Sequence, residues 1–261
     1  MVKAIFFTTA LVFSGAVPGH CQAPSIPVTT SVINTAGGLP TIAPNTWLEI
    51  HGANLAQTTM DWSQSNFLNG LPTTLGGVSA TIDNKPAAIY YISPTQINVL
   101  APLDTATGPV PVQVTTQYGK SIPLTPMEES ISPGFLVIDL AGHVAARHLD
   151  GSLLGPSSLD QPDYPFTPAK PGETVTVYAT GFGETNPPFA NQLSGTGPLP
   201  SIPSVIIGGL PAFVGYAGIA SPGLYQINIA IPLSATTGNL TLSATYNGVR
   251  TQTGVVIAVQ D

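Results

Sequence analysis

The chain holds four histidines, one cysteine and 13 carboxylates in 261 residues, so the side chains able to do chemistry can be weighed one by one. His143, His148 and Asp150 lie close together and are metal-ligand types. A zinc site needs three or four such groups converging in space. Alternation along a strand puts His143 and His148 on opposite faces, whereas His148 and Asp150 share one. His148 and Asp150 therefore stand as the metal candidates, and the alternative is a hydrogen-bonded pair bracing the Asp150-Gly151 turn. Asp160 and Asp163, near Ser157 and Ser158, offer oxygen atoms for calcium. Calcium takes six to eight oxygens, and no spaced Asp-x-Asp-x-Asp loop is present, so these read as solvated carboxylates. No cofactor is expected.

Aromatic residues suggest a second chemistry. Trp62, Phe67 and the Tyr90-Tyr91 pair could stack on sugar rings, with Asp61, Gln64 and Asn66 as polar partners. The plainer expectation has Trp62 folding back as a lid, with Tyr91 and its counterpart Tyr216 pointing into cores. Nucleophilic catalysis finds little material. There is no Gly-x-Ser-x-Gly elbow, Ser221 has no histidine close in sequence, and Gly181-Phe182-Gly183 lacks a nucleotide-loop context. The chain is expected not to be an enzyme. An extracellular hydrolase stays as an alternative because the paired carboxylates of a glycosidase need not be neighbours in sequence.

Composition narrows the setting. Apolar residues make up 43% of the chain, enough for packed cores, while charged residues make up only 7% against about 25% in ordinary soluble domains. The net charge of −7, with six Lys and Arg, excludes a nucleic-acid footprint and a polybasic patch for anionic lipid. Cys21 is the single cysteine, so no internal disulfide forms. Lys3 followed by the apolar run Ala4–Ala16 and Val17-Pro18-Gly19 reads as a signal peptide over 1–16, with cleavage there or as late as 19. That run is too short to cross about 30 Å of hydrocarbon. The protein is expected to be secreted or on the cell surface.

These groups are positioned by a repeat. Pro44-Asn45-Thr46-Trp47-Leu48-Glu49-Ile50 returns 127 residues later as Pro171-Gly172-Glu173-Thr174-Val175-Thr176-Val177. Gln96-Ile97-Asn98 returns 130 later as Gln226-Ile227-Asn228, and Pro86-Ala87 returns as Pro211-Ala212. Segments such as Val110–Thr115 and Leu240–Tyr246 alternate apolar and polar residues, the period of a half-buried strand. Asp83-Asn84, Gly208-Gly209 and Asn247-Gly248 predict two-residue hairpins. The 27 glycines and 27 prolines set many turns between short strands. The expected fold is all-β: two tandem Ig-like β-sandwiches. The divisions are a leader over 17–40, a first sandwich over 41–127, a connector with a β-hairpin over 128–169, and a second sandwich over 170–261.

The run Pro171-Gly172-Glu173-Thr174-Val175-Thr176-Val177-Tyr178-Ala179-Thr180-Gly181-Phe182-Gly183-Glu184, with Ile207-Gly208-Gly209-Leu210-Pro211-Ala212 and Pro222-Gly223-Leu224-Tyr225-Gln226-Ile227-Asn228, resembles the Solibacter uncharacterised C-terminal domain family of acidobacterial exported proteins. The first half resembles its longer members through Leu71–Val78 and Tyr91–Asn98. The resemblance covers residues 30–260. It implies IPT/TIG-type, Ig-like sandwiches on an exported protein, and it carries over no catalytic residues. The function expected is a non-enzymatic adhesion, scaffold or binding module whose partner is a protein or a cell-wall or extracellular polysaccharide. The first alternative is carbohydrate binding through the Trp62 loop.

Overall fold

The computed structural model describes residues 25–64, 70–186, 188 and 197–261, with Gln64 described by its backbone alone. The expected signal peptide, Cys21, Asn66 and Phe67 lie outside the described residues.

The fold is all-β, built as Ig-like sandwiches. In the first half, one sheet runs in the order Val28–Asn34, Trp47–Ala53, Gln96–Leu100, Ala88–Ile92, Met60–Asp61. The facing sheet runs Gly119–Lys120, Val112–Thr116, Val78–Ile82, Thr74–Leu75. Leu48, Ile50, Ile97 and Val99 point inward from the first sheet, and Ala80, Ile82, Val112 and Val114 from the second. Full burial of each large aliphatic side chain is worth about 1.5–3 kcal/mol. The second half repeats the plan with Val175, Val177, Ile227, Ile229, Ile207 and Leu242 in a separate cluster. The two clusters share no residue, so each half has its own interior.

The hairpins fall where the turn residues predict. Asp83 and Asn84 (φ 46° and 61°) join Val78–Ile82 to Lys85–Pro86, and Gly208 and Gly209 (φ 57° and 83°) join Ser204–Ile207 to Leu210–Ser221. Positive φ at both central residues is the signature of a type I′ hairpin turn.

The structural repeat begins one strand earlier than the matching residues in the sequence. Val28–Asn34 pairs with Trp47–Ala53, placing Asn34 opposite Leu48. In the second half, Gly134–Phe135 and Ala146–His148 together occupy that edge of Thr174–Thr180, placing His148 opposite Val175. In the expected connector, Val137 bridges Val144 across Ala141-Gly142, and Ala146–His148 pairs with Leu153–Leu154 across the Asp150-Gly151 turn. Phe135, Val144, Ala146 and Leu154 all contribute to the second core.

The halves meet through buried polar contacts. Asn45 stands where the second copy has Gly172, and both adopt positive φ (54° and 82°). Asparagine tolerates that backbone and adds a side chain. Asn45 Nδ2 donates to the Tyr225 hydroxyl at 3.1 Å, and its Oδ1 accepts from Gly223 N at 3.2 Å. Trp47 Nε1 donates to Pro222 O at 2.9 Å, and Trp47 N donates to Thr180 Oγ1 at 3.2 Å. Thr180 Oγ1 in turn donates to Gly223 O at 2.7 Å. The fully buried Tyr225 hydroxyl donates to Gly183 O, and burial pushes its pKa well above the ordinary phenol value. A Cβ on Gly223 would sit 2.5 Å from Leu100 Cδ1 and 2.6 Å from Trp47 Cδ1, at a φ of +68°.

Gly223→Ala is therefore expected to destabilise the protein by about 1–3 kcal/mol through overpacking and backbone strain. Asn45→Ala should lose a comparable amount by leaving Gly223 N–H buried without its acceptor. Urea unfolding of each variant checks both; a midpoint equal to that of the parent chain would show that the contact is dispensable.

Candidate functional site

The solvent side of each front sheet carries the residues most suited to binding. Ile97 and Val99 face the first core, so Gln96, Asn98 and Leu100 face outward from the same strand. The cross-strand register then sets rows on that outer face. Trp47, Leu100 and Ala88 form one row, and Glu49, Asn98 and Tyr91 form the next. His51 stands opposite Gln96. Tyr90 follows Ala88 to this side by alternation, and a bulge between Ile89 and Tyr91 puts Tyr91 there as well.

Trp47, Leu71, Ala88 and Leu100 make a small buried cluster on this face, with Trp62 and Tyr90 packed against it. The Trp62 ring meets Trp47 edge-on at 5.7 Å and Tyr90 at 5.0 Å, with interplanar angles of 77° and 89°. Such T-shaped pairs are worth about 0.5–1.5 kcal/mol beyond the area they bury. Trp62 is thus half-buried and forms a lid over Trp47, which itself reaches the second sandwich. Asp61 is exposed beside it, and hydrogen bonds from Ser63 hold its carboxyl below the usual range; one of them, from Ser63 N to Oδ1, measures 2.8 Å. Burial, together with the Asp61 charge, pushes the Tyr90 phenol up. Of the four residues expected to line a sugar site, the structure gathers Trp62 and Asp61 here, places the Gln64 backbone in the same short turn, and leaves Phe67 outside the described residues.

Tyr91 and Tyr216 depart from expectation. Neither belongs to a core cluster. The bulge preceding each shifts the pleat, so Tyr91 stands opposite Asn98 and Tyr216 opposite Asn228, both on the outer face. Gln96 Nε2 donates to Asn98 Oδ1 at 2.8 Å, and Thr176 Oγ1 donates to Asn228 Oδ1 at 3.0 Å. The Gln-x-Asn pair and its tyrosine thus form a polar set that occurs once per sandwich. The signal was present in the sequence as the returning Gln-Ile-Asn, where it reads as a repeat marker. The second sheet adds Phe213 to its outer face, opposite Ala230 and 75% exposed.

The metal candidates do not converge. His148 Nδ1 lies 2.5 Å from Glu173 Oε1, and Nε2 lies 3.0 Å from Thr167 O and 2.9 Å from Thr167 Oγ1. Both ring nitrogens are therefore taken. Asp150 Oδ1 accepts from Ser152 N and Ser152 Oγ, which hold its carboxyl low and brace its own turn. Both residues line an open groove of about 640 Å³ together with Lys170 and Glu173. His143 pairs instead with Asp139, at 2.6 Å between Nδ1 and Oδ2. Asp160 Oδ1 accepts from Phe166 N at 2.7 Å and so ties down a loop. Among the described residues no three His, Cys, Asp or Glu side chains gather as a metal site.

A second polar cluster has no sequence signal at all. Glu128 is 0% exposed, and neither carboxyl oxygen has a hydrogen-bond partner. Burial, reinforced by the negative charges of Asp104 and Asp83, raises its pKa to about 7. Lys85 Nζ sits 2.5 Å from Asp104 Oδ2 nearby. Nothing in the local sequence marks Glu128 as buried; its pairing with Gly108 and Ile42 turns it inward.

No protein-family model matches this sequence, and no curated protein does. Solved structures match over most of the chain at low similarity. The Plexin A4 extracellular region is 13% identical with a TM-score of 0.26, over 90% of this chain and 18% of that one. A Bacteroides ovatus mixed-linkage glucan utilization locus protein, solved in complex with a mixed-linkage heptasaccharide, is 12% identical with a TM-score of 0.37, over 92% of this chain and 47% of that one. The titin fragment A168–A169 is 12% identical with a TM-score of 0.24, over 91% of this chain and 100% of that one. The chain thus spans less than a fifth of the plexin region and about half of the glucan-locus protein.

The buried Glu128 gives a pH dependence with a definite sign. Its folded pKa lies above its unfolded value of 4.5, so folding favours the protonated form. Its cost is absent below pH 4.5, grows as pH rises toward 7, and is constant above that. Between pH 4 and pH 8 the parent chain should therefore lose stability relative to Glu128→Gln, by a few kcal/mol at most, whatever constant offset separates the two. Thermal melts of both chains across that range check this; the same pH dependence in both would contradict it.

Proposed function

We propose that the protein is an exported, non-catalytic binding module that holds a ligand of low charge on the outer faces of its sheets. The observation that carries this reading is the Tyr-Asn-Gln set in register in both sandwiches: Tyr91, Asn98 and Gln96, then Tyr216, Asn228 and Gln226. Amide and phenol groups both donate and accept hydrogen bonds without carrying charge. On the pleated outer face the half-buried tyrosines and glutamines, with the buried Asn98 and half-buried Asn228 bracing them, suit the hydroxyl groups of a neutral polysaccharide, or the backbone groups of a protein partner. Two such faces on one chain would raise avidity without any single strong site. Polysaccharide is the ligand class favoured here, because charged residues make up only 7% of the chain.

A second reading places the sugar contact at Trp62. It is favoured by the position of this half-buried ring beside the exposed Asp61 and next to Tyr90. The two readings separate by mutation. Pull-down on a panel of insoluble polysaccharides is expected to show binding that falls at least about tenfold in a Tyr91→Ala, Tyr216→Ala double variant, in line with about 1–3 kcal/mol for lost stacking and hydrogen bonds. Binding that survives the double variant and fails in Trp62→Ala would move the site to Trp62. Turnover of ester, peptide or glycoside substrates by the purified protein would overturn the non-catalytic reading.

A further inference from the structure

The four charged residues Asp83, Lys85, Asp104 and Glu128 lie together at one end of the first sandwich, in a chain with 19 charged residues in all. The second copy has nothing comparable. The hairpin register sets Lys85 against Leu210, since each follows its two-residue turn. Asp104 aligns with Ser234 at the repeat offset. Glu128 pairs with Gly108 and Ile42 just as Val259 pairs with Gly238 and Ala169, and Val259 is a core residue. A glutamate thus stands, wholly buried and with both oxygens unpartnered, where the fold accepts valine.

The contact beside it has the makings of a reaction. Lys85 Nζ and Asp104 Oδ2 form an ion pair, 2.5 Å apart. The Asp104 side chain is only 6% exposed, while Lys85, at 46%, reaches it from the solvent side. The other carboxyl oxygen, Oδ1, accepts from Thr105 N at 2.6 Å and Ala106 N at 2.9 Å. Those two N–H groups fix the carboxyl and would stabilise negative charge developing on Oδ1 during attack at Cγ.

We propose that Lys85 and Asp104 condense into an intramolecular amide, with Glu128 as the acid–base group. Within the ion pair, the ammonium passes a proton to the carboxylate, leaving a free amine and a carboxylic acid. Nζ attacks Cγ and the new C–N bond forms. With its carboxyl turned toward the pair, Glu128 gives its proton to the leaving oxygen as the Cγ–Oδ2 bond breaks, and takes one from the amine nitrogen. One water leaves, Glu128 ends as it began, and no oxidant or reductant is needed. A buried carboxylic acid with no partner of its own is suited to this relay, because its protonated form persists near neutral pH. The product staples the hairpin strand Lys85–Pro86 to the loop after Gln96–Leu100, in a chain whose lone cysteine provides no disulfide.

Intact-mass spectrometry of the purified chain tests this, with the amino terminus read from the same spectra. The parent chain should be one water lighter than its sequence, with fragment ions joining the Lys85 and Asp104 peptides. Lys85→Arg and Asp104→Ala should have their full sequence masses. Glu128→Gln should stay unlinked with Lys85 and Asp104 both present, and far-ultraviolet circular dichroism confirms that it folds. A parent chain of full mass would overturn the proposal. So would a lost water that persists in Lys85→Arg, since that would place it in an aspartyl succinimide.

Discussion

The arrangement of the two sandwiches rests on one buried hydrogen-bonded knot. Asn45 reaches across to Tyr225 and Gly223, Trp47 reaches to Pro222 and Thr180, and Thr180 closes the loop onto Gly223. Each of these groups is out of water, so breaking any one contact strands a donor or acceptor at the full desolvation cost, about 1–3 kcal/mol. That asymmetry is what makes a polar junction stiff. An apolar contact of the same area could slide; this one has a single register. The same knot anchors the Trp47 ring, and the Trp47 ring supports Trp62 and Tyr90 on the outer face. The candidate binding surface of the first sandwich is therefore built on the contact with the second.

Duplication made the two halves, and divergence shows where each acquired its own task. Asn45, where the second copy has Gly172, shares the left-handed backbone and adds a side chain for the junction. Lys85, Asp104 and Glu128 stand in the first copy at positions where the second has Leu210, Ser234 and Val259. A buried glutamate in place of a core valine costs folding energy at neutral pH, and such a cost is retained where the group does something else. The Tyr-Asn-Gln faces behave oppositely, being kept in both copies although they contribute to neither core.

Much of the fold is legible in the sequence, because alternation, Gly/Asn/Asp turns and the internal repeat all point the same way. Val175, Val177, Ile227 and Ile229 face inward as their spacing requires, and Asp83-Asn84 and Gly208-Gly209 turn where expected. The site is much less legible. A single-residue bulge at Tyr90, and its equivalent before Tyr216, reverses which face the next tyrosine takes, and no local pattern announces a bulge. His148 looks like a ligand until Glu173 and Thr167, distant in sequence, take both its nitrogens. Glu128 carries no local mark of burial, and a parallel pairing with Ile42 turns it inward. In each case the deciding partner lies on another strand, and register across strands is what a single sequence conveys least.

The central claim, that the junction locks the two sandwiches into one body, is tested most directly by residual dipolar couplings measured on the full chain. Couplings from the strands of both sandwiches should fit one alignment tensor, and an Asn45→Ala, Trp47→Ala double variant should split them into two. Two independent tensors in the parent chain would contradict the account, because the sandwiches would then move freely about residues 128–134.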